Sequence, residues 1–214
     1  MISVRIGVKL MMRTKPIIVE MVVSLFTVAS LLTFVAKGEP AQTTSEPAAA
    51  ALSGTQTGPA PWLPEIKNLR ARLNAINLPA LSTEGEALHI HQHLDIFVNG
   101  KPVTVPAGIG INTDARFISQ LHTHDVSGVI HVESDQVRDF TLGQFFDVWG
   151  LRFTKDCIGG YCAKDKNRLR VFSDGKPVTG DPRNLALSSH QVIAVVYGPV
   201  ESTPTIRTTY QFDD

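Results

Sequence analysis

The run Leu88 to Val98, LHIHQHLDIFV, alternates between apolar and polar positions almost throughout. Successive side chains of an extended chain point to opposite faces, so this period of two predicts a strand. Leu88, Ile90, Leu94, Ile96 and Val98 fall on one face, and His89, His91, His93 and Asp95 on the other. A chain written this way must lay one face on a core and present imidazoles on the other. Asn99-Gly100 follows, and both residues tolerate positive φ, which predicts a two-residue hairpin turn. The return strand from Pro102 to Pro106 carries proline at both ends, so it is short or lies at an edge.

The remainder of the domain, residues 84–214, reads the same way. Leu121 to Glu133, LHTHDVSGVIHVE, predicts a second hairpin with Asp125-Val126-Ser127-Gly128 as its loop. That register sets His122 opposite His131, and His124 opposite Val129. Thr141 followed by Gln144 is a capping-box pattern. Leu142, Phe145, Phe146 and Trp149 then form an apolar helix face, and Gly150 suits the C-terminal cap. Leu169 to Phe172 predicts a strand, Asp174-Gly175 a turn, and Gln191 to Tyr197 a buried final strand rich in Val and Ile. Together these give an α+β fold, with a hairpin-rich mixed or antiparallel sheet and one short packed helix in a β-grasp-like order.

The first third of the chain is different in kind. Residues 1–16 contain Arg5, Lys9, Arg13 and Lys15, and residues 17–36 are apolar apart from Glu20 and a few small polar residues. A bilayer core takes about 20 such residues in a helix, and the basic flank stays cytoplasmic. This predicts a transmembrane anchor or uncleaved signal, with the C-terminal bulk outside the cytoplasm. Residues 37–61 are rich in Pro, Ala, Ser, Thr and Gly and read as a flexible tether. Residues 62–78 regain a helical period through Trp62, Ile66, Leu69, Leu73 and Ile76, for self-association or for docking on the adjoining domain. Acidic and basic residues balance at twenty each, so no global charge points to nucleic acid.

Six of the seven histidines lie between residues 89 and 131. They occur as His89-x-His91-x-His93, His122-x-His124 and His131. Spacing of two on a strand puts imidazoles on one face, and neutral imidazole is a ligand for zinc, copper, nickel and iron. The bland alternative is a solvated polar face that happens to be histidine-rich. His91 and His93, with one or two of His122, His124 and His131, form the preferred ligand set, and His89 sits near a fraying strand end. Asp95, Asp125 and Glu133 are candidates to bind the ion directly, to orient a ligand or to serve as a base. His190 reads as a surface residue. All four methionines (Met1, Met11, Met12 and Met21) precede the folded part, which argues against a thioether Cu(I) site and for Cu(II) or Zn(II).

Cys157 and Cys162 flank Ile158-Gly159-Gly160-Tyr161. Outside the cytoplasm two cysteines pair, and the glycines let the loop turn tightly, so a structural disulfide is expected. The four-residue spacing is not that of a thioredoxin-type redox pair. No Gly-x-Ser-x-Gly elbow or phosphate-binding glycine loop is present.

The runs HQHLDIFVNGKPVTVP, LHTHDVSGVIHVES, TLGQFFDVWG and DCIGGYC together resemble a group of bacterial membrane-anchored or secreted His-rich proteins with no assigned activity. The likeness spans roughly residues 88–198. It implies a bacterial cell envelope location and no particular reaction. Three functions are compatible with the residues. One is a membrane-tethered domain that binds Cu(II) or Zn(II). The second is a zinc hydrolase or hydratase with three histidine ligands and a metal-bound water. The third is an envelope interaction domain with a histidine pH switch.

Overall fold

The computed structural model describes residues 51–213. The anchor expected over residues 17–36, the basic leader and most of the tether lie outside that range. Among the described residues no helix is long and apolar enough to cross a membrane.

In chain order the elements are α1 (Leu69–Ala75), β1 (Ala80–Leu81), β2 (Leu88–Val98), β3 (Lys101–Val103), β4 (Ile111–Asn112), β5 (Phe117–Ser119), β6 (Leu121–His122) and β7 (Val129–Ser134). They continue with α2 (Leu142–Trp149), β8 (Cys157–Ile158), β9 (Tyr161–Cys162), β10 (Asn167–Ser173), β11 (Lys176–Pro177) and β12 (Gln191–Pro199). The main sheet runs β11-β10-β12-β2-β7-β6, with β3 also paired to β2. β12 is parallel to β2, and the other neighbours in this sheet are antiparallel. First and last long strands thus lie side by side at the centre, each with its hairpin partner outside. With α2 connecting the two halves, this is the α+β arrangement expected, a mixed sheet with one short packed helix.

Local chemistry explains the elements. Asn99-Gly100 and Asp174-Gly175 both have positive φ at both positions, closing the β2-β3 and β10-β11 hairpins as primed turns. The Thr141 hydroxyl accepts from Gln144 N, and the Gln144 side chain accepts from Thr141 N, so the capping box is complete. Gly150 ends α2 in the left-handed conformation. Phe145, Phe146 and Trp149 are fully buried, with Phe146 stacked on both Trp149 and Phe153. Each such ring contributes roughly 1.5–3 kcal/mol by leaving water. β12 is buried along most of its length, as its Val and Ile content predicts.

Two expectations are corrected. The amphipathic helix is confined to Leu69–Ala75 and does not span residues 62–78. Asn77 adopts φ 54° and Pro79 follows, which stops it, while residues 61–66 before it have no regular structure and Trp62 is buried in the core. Leu69 and Leu73 dock on the same core, so this segment packs on its own domain. The tether is shorter than residues 37–61, because residue 56 is already paired to the domain. Gln56 N donates to Gly150 O, and Gln56 O accepts from Arg152 N. Buried Arg72 holds this corner, donating to the carbonyls of Ser53, Asp147 and Val148 and pairing with Glu65. Two of those carbonyls belong to the last turn of α2, where a cation complements the helix dipole.

Cys157 and Cys162 face each other across β8 and β9 and are disulfide-bonded, as expected.

Candidate metal centre

Pairing of β2, β7 and β6 assembles the histidines. β7 lies between the other two, with His91 opposite His131, His89 opposite Glu133, and His122 opposite His131. The register predicted for His122 and His131 is the one found. Inward-facing Ile130 and Val132 are fully buried, which fixes this register, since a one-residue slip would turn them outward. His124 leaves the ladder rather than opposing Val129, which pairs with His93. Its ring nonetheless folds back, with Nε2 3.1 Å from His122 Nε2.

Glu133 is the hub. Its side chain is 5% exposed, and its Oε1 lies 3.2 Å from His89 Nε2, 3.3 Å from His131 Nδ1 and 3.9 Å from His122 Nε2. His89 Nε2 and His91 Nε2 approach to 3.0 Å. Cation–nitrogen bonds of 2.0–2.1 Å place neighbouring ligand atoms about 2.9–3.4 Å apart, which is the spacing of these pairs. Two groups have donor atoms all within 4.8 Å of one another. One is His89, His91, His131 and Glu133, and the other is His122, His124, His131 and Glu133.

The protonation states suit ligation. Burial, then the neighbouring imidazoles His124 and His131, push His122 down to about 3. Burial and the charges of His124 and His91 push His131 down to about 4. Both rings are therefore neutral at pH 7. His122 Nδ1 lies 3.0 Å from Ser119 O, and a carbonyl only accepts, so Nδ1 carries the hydrogen and Nε2 turns its lone pair into the site. His131 Nδ1 is buried, and the Glu133 oxygen 3.3 Å away is not aligned for a hydrogen bond to it. Burial, then the nearby Glu84 carboxylate, raise Glu133 above its ordinary value.

Several expected site residues stand elsewhere. His93 is not in the cluster. Its ring stacks on Tyr210 with centroids 4.1 Å apart, and its Nε2 meets Ser127 O at 3.0 Å. The strand twists along its length, and the C-terminal segment covers this stretch of the histidine face. His89, expected to fray, is held in the β2-β7 ladder. Asp95 pairs with Arg207 at 3.1 Å and lies 3.8 Å from His93, so it orients no ligand. Asp125 caps its own turn by accepting from Ser127 N at 2.8 Å. His190 is exposed, stacked on Phe212.

Glu84 is a residue the sequence reasoning missed. Its Oε1 lies 3.4 Å from His124 Nε2 and 4.0 Å from His122 Nε2. It sits in a short polar stretch with no periodicity, and only the approach of Gly85 to the end of β7 signals its position. A Cβ on Gly85 would overlap the backbone of Ser134 and Asp135. Glu84 also lines an open cleft of about 390 Å³, with Ser82, Asn112, Arg116 and Phe117 on its walls.

No family model, curated protein or solved structure matches the chain.

Proposed function

We propose that this chain is a membrane-tethered, extracytoplasmic domain of a bacterial envelope that holds Zn(II) or Cu(II), for uptake, buffering or delivery. The observation that carries this reading is the His122 ring. It is buried and neutral, its Nδ1 is fixed on Ser119 O, and its Nε2 points at His124 and Glu133. Imidazole with carboxylate suits both ions, and the affinity order for such donors puts Cu(II) above Zn(II). The expected anchor at residues 17–36 supplies the tether and the location. The full-length chain, purified in mild detergent without a polyhistidine tag, is expected to bind cation measured by elemental analysis, and His122→Ala to lose most of it. Full-length protein that neither retains nor takes up either ion overturns the reading.

A second reading is favoured by one observation, the cleft that shares Glu84 with the site. A cation with an open position beside that cleft is placed to activate water on a bound substrate, with Glu84 or Glu133 as base. Turnover of ester, amide or carbon dioxide substrates by the zinc-loaded chain, abolished by chelator, is the corresponding test. A pH switch near 6 gains no support from His122 and His131, because burial moves both well below that range.

A further inference from the structure

We infer that the site takes two cations, bridged by Glu133. This rests on the metal-binding reading and specifies its stoichiometry.

Around one cation with bonds of 2.0–2.2 Å, even opposite ligand atoms are no more than about 4.4 Å apart. The six donors do not form one such group. Even at the looser limit of 4.8 Å they fall into two sets, and only His131 and Glu133 belong to both. The His89-His91 pair and the His122-His124 pair never occur in the same group. A single cation therefore leaves one pair of imidazoles unused, whichever set it chooses. Yet both pairs are drawn together alike, at 3.0 Å and 3.1 Å between Nε2 atoms.

The shared residues have the chemistry a bridge needs. Glu133 stands between the pairs, one oxygen, Oε1, lying 3.2 Å from His89 Nε2 and 3.9 Å from His122 Nε2. A carboxylate can bridge two cations through one shared oxygen or through both, and two-metal sites hold their ions about 3.5–4 Å apart. The His131 ring lies between the pairs too, with its centroid 4.5 Å from that of His91 and 4.4 Å from that of His124. It completes the ligand set of one ion. Glu84, beside His122 and His124, adds a second carboxylate on that side only. Two negative charges thus face two divalent cations, and the bridging one lies between them, where their repulsion is greatest.

The test is a stoichiometry. Full-length untagged protein is stripped with chelator, incubated with excess zinc chloride, desalted and assayed for zinc per chain. Two are expected. One zinc overturns the two-cation inference and leaves the metal-binding reading standing; none overturns both. Two double variants provide an independent arm. His89→Ala with His91→Ala, and His122→Ala with His124→Ala, are each expected to keep one zinc. Loss of all zinc from either folded variant means a single shared site and sinks the inference. A readout that needs no variant is the Cu(II)-loaded wild type. Two bridged Cu(II) ions interact magnetically, so a half-field resonance or a marked loss of integrated signal is expected. Two copper ions per chain with the full signal of isolated centres would overturn the bridge.

Discussion

At the level of single residues, a shared face did not mean a shared site. His89, His91 and His93 alternate identically in the sequence, yet only the first two reach the cluster. His93 is enclosed by Tyr210 and by the turn at Ser127-Gly128, contacts made by segments far away or by backbone, which no spacing rule reveals. This separation predicts different phenotypes. His93→Gln is expected to lower stability by roughly 1–3 kcal/mol through disturbed packing, with bound zinc unchanged. His131→Gln is expected to lower zinc affinity by at least tenfold. Calorimetric titration of both, beside denaturant melts, checks the pair, and equal zinc loss in the two would contradict the assignment. The pH response follows from the buried rings. His122 and His131 have folded values of about 3 and about 4, below the ordinary 6.5, so the unfolded chain binds more protons between those limits. Stability of metal-free protein from this source is complete above pH 6.5 and is lost as the pH falls toward 3. Glu133, raised above its ordinary value, works in the opposite sense, its share being lost as pH rises. Two rings against one carboxylate give a net loss on acidification. Urea midpoints of chelator-treated protein are expected to fall steadily from pH 6.5 to 4, and a rising midpoint over that interval would contradict this account.

Secondary-structure elements were more legible than the residues that line the site, because their signals are local. The two turn dipeptides, the capping box and the Val/Ile run each state their conformation within a few positions, and each is found where expected. The helix over residues 62–78 was overextended because periodicity counts apolar positions and does not see that Trp62 is held by contacts with Trp149 and Tyr161. Likewise β1, β4 and β5, each of two or three residues, carry too few positions to show a period. Their small sheet matters, since it leads the chain from α1 to Glu84. Gly85 is the point of control. Because a Cβ there would overlap the Ser134 and Asp135 backbone, Gly85→Ala is expected to push the segment before β2 away from the end of β7. Overpacking of this kind costs roughly 1–3 kcal/mol. It should also withdraw Glu84 from His124, weakening the zinc ion on the side of His122 and His124 more than the other. Zinc titration resolving a strong and a weak ion in this variant checks it; an unaltered titration would remove Glu84 from the ligand set.

Across the whole molecule, the disulfide and the histidine cluster sit at opposite ends of the sheet. Cys162 O accepts from the Tyr197 hydroxyl, and Tyr197 pairs with Val98, the far end of β2 from His89. The disulfide closes a loop of only six residues, from Cys157 to Cys162, for which the chain-entropy model gives about 2 kcal/mol. Replacing both cysteines by serine is expected to lower stability by about that amount and to leave zinc content intact. Cations should act on the other end. Their ligands come from β2, from β6 and β7, and from the segment around Glu84, so binding adds a cross-link between strands on the face away from the core. An ion held by the folded chain and not by the unfolded one adds about 2.7 kcal/mol at a free concentration one hundred times Kd. For a domain of this size that corresponds to a rise in Tm of about 5–10 °C. Thermal melts with zinc chloride and with chelator are expected to differ by at least this much, a second ion adding to the first, in wild type and in the cysteine double variant alike. Glu133→Gln, which keeps the shape of the side chain and removes the charge at the hub, should melt at the same temperature in both solutions. A zinc-induced rise as large in that variant as in wild type would place the stabilising ion somewhere other than between these strands.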